Sequence, residues 1–166
     1  MEADYTAFGL LKTAFLTDIG VNELKPIRRK FWLFLFLRLE QACGLLFFKK
    51  CFALLKKISL WFSGSELPST ACAGKALQLP HLSGIIVSPY ARIGNNCTIM
   101  HQVTLGVNAE ISDCKAPVLG DNVFVGAGAK LIGPIIIGSN VKIGANAVVT
   151  KNVPDGVTVV GANRFV

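Results

Sequence analysis

The chain has few histidines and no ordered set of cysteines. It holds only two histidines among 166 residues, and its five cysteines lack the spacing of metal ligands. The cysteines are Cys43, Cys51, Cys72, Cys97 and Cys114. We therefore predict no metal site. An odd, scattered set of cysteines is typical of a reduced, cytoplasmic protein.

Long uncharged apolar runs are also missing. No stretch of about 18 apolar residues escapes a charge, which disfavours a membrane-spanning helix. No small-residue cleavage site follows a suitable apolar run, which disfavours a signal peptide. Acidic residues number 10 against 17 Lys and Arg. Because most of this basic excess precedes residue 66 and no RNA- or DNA-binding motif accompanies it, we do not expect a nucleic-acid partner.

Residues 1–65 are predicted to form a short α-helical segment with two contrasting faces. On a helical wheel the basic residues between 38 and 57 fall within about a third of the circumference. Phe, Leu and Trp occupy most of the remainder. This pattern is typical of a helix lying in the membrane surface, which would place the protein at the inner face of the cytoplasmic membrane. The alternative is that the apolar face packs between subunits, and both could hold.

Residues 66–166 are dominated by a six-residue repeat. From residue 119 the chain reads LGDNVF, VGAGAK, LIGPII, IGSNVK and IGANAV. An aliphatic residue opens each unit, and a small or β-branched residue usually stands at the fifth place. This period predicts a mainly β fold, a parallel β-helix with three hexapeptides in each coil of about 18 residues. We expect the first and fifth residues of each unit to point inward.

The repeat is interrupted in two places. Counting back in sixes from Ile93 puts His81 in an aliphatic core position, which has a cost unless the ring is used or hydrogen-bonded. The spacing from Leu105 to Leu119 is 14, two more than two repeats need. This excess predicts an extruded loop within 107–117, where function tends to lie. A tolerated surface insertion is the alternative.

The two histidines are the candidates for chemistry. His81 and His101 are 20 residues apart, one coil plus two, so we expect them on adjacent coils near the same edge. A neutral imidazole is the natural general base for a hydroxyl group, and His81 is our candidate, with a structural role as the alternative. Glu66 is positioned to orient the His81 ring, unless it is a solvated carboxylate. His101 is either a substrate-binding residue or an ordinary surface histidine.

Residues 66–166 resemble the serine acetyltransferase branch of the left-handed β-helix (hexapeptide) acyltransferases. The resemblance includes an acid fifteen residues before the histidine, VTLG at 103–106, GAGAK at 126–130 and VKIGANAVVTKNVP at 141–154. It implies a homotrimer, or a dimer of such trimers, with active sites between subunits and acetyl-CoA as co-substrate. The implied catalytic residues are His81 and Glu66. The implied acetyl-CoA contacts are Gly106, Gly126, Ala127, Gly128, Lys142 and Arg164.

One departure from this family guides the prediction of the acceptor. Ala116 precedes Pro117 where serine acetyltransferases have a second histidine, so we mark Ala116 as an altered acceptor-binding position. The short, apolar N-terminal segment is similar to that of bacterial capsule and exopolysaccharide O-acetyltransferases. We therefore predict acetyl transfer to a sugar hydroxyl. Serine O-acetylation in cysteine biosynthesis is the alternative, and a non-catalytic β-helix scaffold is a third.

Overall fold

The computed structural model describes the repeat region almost continuously. The described residues are Leu35, Phe36, Leu39, Lys50, Cys51, Leu54, Leu55, Lys57, Ile58, 61–68, 71–108 and 115–166. The strands are β1 (Cys72–Ala73), β2 (Ile86–Val87), β3 (Arg92–Ile93), β4 (Thr98–Ile99), β5 (Thr104–Gly106), β6 (Val118–Leu119), β7 (Phe124–Val125), β8 (Lys130–Ile132), β9 (Ile136–Ile137), β10 (Lys142–Ile143), β11 (Val148–Val149), β12 (Thr158–Val160) and β13 (Arg164–Phe165).

These strands form three sheets. The first sheet has the order β1-β3-β6-β9, the second β4-β7-β10-β12-β13, and the third β2-β5-β8-β11. Among the described strands all pairs are parallel except β12 with β13. Because each strand from β3 to β11 belongs to the next sheet in turn, the chain winds around a three-sided prism. The predicted parallel β-helix is confirmed.

The interior of the prism is filled by two residues of each hexapeptide. Opening residues such as Leu105 and Leu131 are fully buried, and so are the fifth-place residues Ala129 and Ala147. An aliphatic opening residue and a fifth-place residue that is usually small or β-branched fill the narrow interior of each repeat. The predicted inward positions are confirmed for the regular coils.

Cys97 is one of these inward residues. Its Sγ lies 3.2 Å from the carbonyl oxygen of Gly120, to which the thiol donates. Burial raises the pKa of the Cys97 thiol above its ordinary value. Because the thiolate is the reactive form, Cys97 is a packing residue and not a nucleophile.

The register between coils departs from 18 residues in the first coil. Ile86 pairs with Thr104, which is the ordinary step, whereas Cys72 pairs with Arg92, twenty residues further on. The two extra residues lie in the turn that carries His81. Counting back in sixes through this turn loses the phase, so the prediction that His81 fills a core position was wrong. The side chain is exposed.

The larger departure lies between the third and first sheets. Arg92 pairs with Val118 across 26 residues, eight more than an ordinary coil. The predicted excess of two residues was wrong because Leu105 and Leu119 lie on consecutive sheets, one repeat apart. The whole excess of eight residues therefore lies between β5 and β6. Residues 109–114 of that loop lie outside the described residues.

The N-terminal segment predicted over residues 1–65 is described only in part. Only isolated residues between Leu35 and Trp61 are described, and these are helical. Its predicted basic and apolar faces and its predicted membrane contact lie outside the described residues. In the part of the chain that the structure describes, no helix is long and apolar enough to cross a membrane.

Asparagine side chains connect the coils at the edge between the first and second sheets. Asn96, Asn122 and Asn140 all have φ between 54° and 59°, the left-handed region in which asparagine is tolerated. The Asn96 amide donates to Asn122 Oδ1 at 3.3 Å, and the Asn122 amide donates to Asn140 Oδ1 at 3.2 Å. Each asparagine thus stabilises its turn and the turn beside it.

We expect Asn122→Ala to lower the free energy of unfolding by about 1–3 kcal/mol, since it removes two hydrogen bonds and places alanine in a left-handed turn. Asn122→Gly loses the same hydrogen bonds but relieves the backbone strain, and should cost less. Urea unfolding followed by circular dichroism measures both. A glycine variant less stable than the alanine variant would contradict this account of the edge.

Candidate active site

The turns between the second and third sheets form one edge of the prism, which we call the histidine edge. It consists of residues 80–84, 100–102, 126–128 and 144–146. Backbone hydrogen bonds stack these turns: Gln102 N donates to Ser83 O at 2.8 Å, and Asn146 N donates to Ala127 O at 2.8 Å. The histidine edge therefore brings His81 and His101 onto adjacent coils.

The two histidine rings are in contact. Their centroids are 5.7 Å apart and their planes are inclined at 84°, an edge-to-face arrangement. His81 is exposed and His101 is half-buried. The expected proximity is confirmed, and it arises because the two extra residues of the first coil bring positions 81 and 101 into register. An exposed imidazole with a packed neighbour is an accessible proton acceptor whose ring has support on one side.

His101 is held firmly by the turn around it. Its carbonyl oxygen accepts a hydrogen bond from Gly128 N at 2.9 Å. The next residue, Gln102, has φ of 59°, and its carbonyl oxygen accepts a hydrogen bond from Lys130 Nζ at 2.6 Å. His101 Nδ1 is buried and has no hydrogen-bond partner among the described residues.

Lys130 was not singled out from the sequence, where it was named only as part of GAGAK. Its position in the repeat could have identified it. It lies on the outward side of β8, beside Thr104 of β5, and Thr104 follows the His101 turn by two residues. The Lys130 ammonium group binds the carbonyl oxygen of Gln102, the residue that follows His101.

Glu66 lies close to the histidine edge but does not hold His81. It forms a parallel bridge with Ile86, its N–H donates to Ile85 O at 2.7 Å, and its carbonyl accepts from Val87 N at 2.9 Å. Its side chain is exposed. Among the described residues no hydrogen bond joins the carboxylate to the His81 ring, so the orienting role of Glu66 stays a prediction.

Ala116 lies at a different edge. This loop edge, between the third and first sheets, includes the described residues 88–91, 107–108, 115–117 and 133–135. Ala116 is buried there and borders a shallow groove of about 460 Å³. The groove is lined by Tyr90, Arg92, Lys115, Ala116, Val118, Pro134, Ile135 and Ile136. One chain therefore does not bring Ala116 and His81 together.

The glycines of 126–128 are explained first by stacking. A Cβ at Gly126 would lie 2.6 Å from Ala145 N of the next coil. Gly128 has φ of 74°, and its Cβ would collide with Asn146 Oδ1. These positions, with half-buried Ala127 between them, leave a turn without long side chains next to His101.

The other residues predicted to contact acetyl-CoA lie in two other places. Lys142 and Arg164 are exposed on the second sheet, where β12 separates their strands. Gly106 ends β5 at the loop edge, where its carbonyl oxygen accepts from Gly133 N at 2.9 Å. The described ranges contain no group of three or more potential metal ligands, and the absence of a metal requirement stays a prediction.

The repeat region is similar to known hexapeptide-repeat transferases. Residues 116–151 match the family model described as bacterial transferase hexapeptide (six repeats). A serine acetyltransferase of Helicobacter pylori is 41% identical over 108 residues, which are 65% of this chain and 63% of that protein. The chain thus spans less than two thirds of this relative's length.

Solved structures extend the similarity to almost the whole chain. The serine acetyltransferase of Neisseria gonorrhoeae matches with a TM-score of 0.81 and 30% identity, covering 98% of this chain and 68% of that one. Its complex with serine matches with a TM-score of 0.79 and 30% identity, covering 98% and 72%. The Brucella abortus serine acetyltransferase in complex with coenzyme A has a TM-score of 0.77 and 28% identity, covering 99% and 69%.

These findings correct the predicted acceptor. The prediction of a sugar hydroxyl in capsule or exopolysaccharide synthesis was wrong, since the similar proteins are serine acetyltransferases. That prediction relied on the missing histidine at Ala116 and on the short, apolar N-terminal segment. Ala116 lies on another edge of the prism from His81. The residue at position 116 therefore gives no information on the groups next to His81 within one chain. The repeat, the prism and these matches together place the chain in the serine acetyltransferase-like branch of the left-handed β-helix (hexapeptide repeat) acyltransferases.

Proposed function

We propose that this protein transfers an acetyl group from acetyl-CoA to the hydroxyl of L-serine. The observation that carries the proposal is the exposed His81 imidazole, packed edge-to-face on His101 at the histidine edge. The similarity to serine acetyltransferases, including complexes with serine and with coenzyme A, supports this acceptor and this donor.

His81 is the general base of the proposed reaction. One of its ring nitrogens accepts the hydroxyl proton of serine while the serine oxygen forms a bond to the acetyl carbon. The carbon–sulfur bond of the thioester breaks, and the His81 imidazolium returns the proton to the leaving sulfur. Acetyl-CoA, when bound, supplies an acetyl group already activated as a thioester. The proposed mechanism needs no cysteine nucleophile.

The residues of this chain fit the donor. The short side chains of 126–128 leave room for an extended arm beside His101, and we assign Gly126, Ala127 and Gly128 to that role. Lys142 and Arg164, both exposed on the second sheet, supply positive charge for the anionic nucleotide end. Gly106, at the loop edge, lies apart from these residues in one chain, and its role stays a prediction.

The proposed assembly is a homotrimer, or a dimer of trimers. Residues that the family resemblance assigns to one site lie at two edges of a single prism, so a complete site needs the loop edge of a neighbouring subunit. The first sheet also exposes Val118 and Ile136, which stack on each other beside the groove. Exposed apolar side chains on a flat sheet face are typical of a subunit contact.

We expect light scattering of the full-length protein to give about three times the chain mass of 17.8 kDa, or six times if two trimers associate. The measured mass should not change on dilution over the micromolar range. A monomer or a dimer would contradict the assembly and with it the need for two edges.

We expect purified protein to release free CoA thiol from acetyl-CoA when L-serine is added, with O-acetylserine detected by mass spectrometry. Turnover should lie in the ordinary range of about 1–10³ s⁻¹ with a micromolar-to-millimolar KM. L-homoserine, one methylene longer, and L-alanine, which lacks the hydroxyl, are the controls. Thiol release that is the same with and without serine would refute the proposed acceptor.

We expect His81→Ala to lower kcat by about 10²–10⁴, the usual contribution of a general base. Calorimetry should show acetyl-CoA binding unchanged, since the ring is not assigned to donor binding. Glu66→Gln should cost less, because an orienting carboxylate acts only through the ring. A His81→Ala enzyme that keeps more than about a tenth of kcat would exclude His81 as the base.

A further inference from the structure

We propose that His101 is a positioning residue for His81, and that it acts through the packing of its ring and not through a nitrogen atom. This inference rests on the proposed function, in which His81 is the base. It assigns His101 a role in the site and gives the base a support that lies on the same edge of the same chain.

His81 needs support from a neighbouring side chain. It lies in the turn that carries two extra residues, and its side chain is exposed. An exposed imidazole is free to rotate about two side-chain bonds, and a base that samples several orientations spends little time aimed at its proton. In the described part of the chain the His81 ring makes no hydrogen bond to the Glu66 carboxylate. Its ring contact is with His101 at 5.7 Å.

His101 has the rigidity that a support needs. Its backbone carbonyl is held by Gly128 N, and the following residue is fixed by Lys130 through Gln102 O. The ring is half-buried and stands nearly perpendicular to the His81 ring, at 84°. Edge-to-face pairs of this kind fix the relative orientation of two rings because the positive edge of one meets the negative face of the other.

The observed contact between His101 and His81 involves the ring of His101 and not a hydrogen bond from its nitrogen atoms. Nδ1 is buried without a hydrogen-bond partner among the described residues, so it is not bonded there to the base. An unpaired buried nitrogen destabilises the folded protein, so stability alone does not explain a histidine at this position. The contact of its ring with His81 does. The competing explanation is that Nε2 binds substrate or moves a proton, and it predicts a different set of active variants.

Three substitutions separate these explanations in the full-length protein. His101→Ala removes the ring, and we expect kcat to fall about 10-fold with the KM values changed less than about 2-fold. His101→Phe keeps a ring without nitrogen, and kcat should return to within about 3-fold of the wild-type value. His101→Gln keeps a polar group without a ring and should resemble the alanine variant. The phenylalanine variant should melt no lower than wild type, because it removes the unpaired nitrogen.

A spectroscopic readout tests the contact independently of the acceptor. The chain has only two histidines, so in each His101 variant labelled with ¹⁵N-histidine the remaining imidazole is His81. At fixed pH its ring signals should match wild type in the phenylalanine variant. In the alanine and glutamine variants they should shift or broaden, as expected for a ring that reorients.

The proposal is overturned if His101→Gln is active and His101→Phe is not, since the nitrogen would then be the working part. It is also overturned if His101→Ala leaves both kcat and the His81 signals unchanged. Failure of the proposed function looks different. Wild-type protein would then not acetylate L-serine, while the imidazole signals would still show whether His101 orients His81.

Discussion

The hydrogen bonds between successive coils are the constraint on which the rest of this structure depends. Every coil must place its strands directly above those of the coil before, because otherwise buried backbone groups lose their partners. An 18-residue step satisfies this, as in the pairing of Ile86 with Thr104. The inward residues must be apolar and of suitable size, but they need no further specificity, since stacking already decides which of them meet.

Departures from that step are possible only where extra residues can leave the prism without breaking the ladder. The first coil takes two extra residues in the His81 turn, and the second takes eight at the loop edge, which includes Ala116. Both insertions lie at edges, and the strands on either side keep their register. His81 and Ala116 thus both lie in turns that contain more residues than the regular repeat. Chemistry-bearing side chains can project there without displacing the core.

Much of the fold could be predicted from the sequence because a six-residue period is nearly unique to this architecture. The phase could be followed only while the period held. Counting through the His81 turn placed that side chain inside the prism, because a sequence does not mark where two residues have been inserted. The loop after Leu105 was misjudged for a related reason. Fourteen residues fit two repeats plus two as well as one repeat plus eight, and only the pairing of Arg92 with Val118 decides between them.

The sequence predicted the position of the two histidines but not the acceptor. The spacing of 20 between His81 and His101 correctly placed them on adjacent coils, because it equals the register of the first coil. The acceptor was predicted wrongly from the missing histidine at Ala116 and from the apolar N-terminal segment. In one chain Ala116 lies at a separate edge, so its effect on the acceptor depends on a neighbouring subunit. A substitution in the sequence can be interpreted only after the edge to which it belongs is known.

The histidine edge also shows how a strained turn and a charged side chain depend on each other. Gln102 occupies a left-handed conformation that the corresponding turns give to Gly84, Gly128 and Asn146. A side chain such as glutamine is disfavoured there by about 1 kcal/mol or more. The hydrogen bond from Lys130 to Gln102 O, at 2.6 Å, is charge-assisted and offsets a cost of this size. The turn that fixes His101 is therefore stabilised by a cation on the next coil. The geometry of the His101 turn therefore depends on the register between coils, as the packing of the core does.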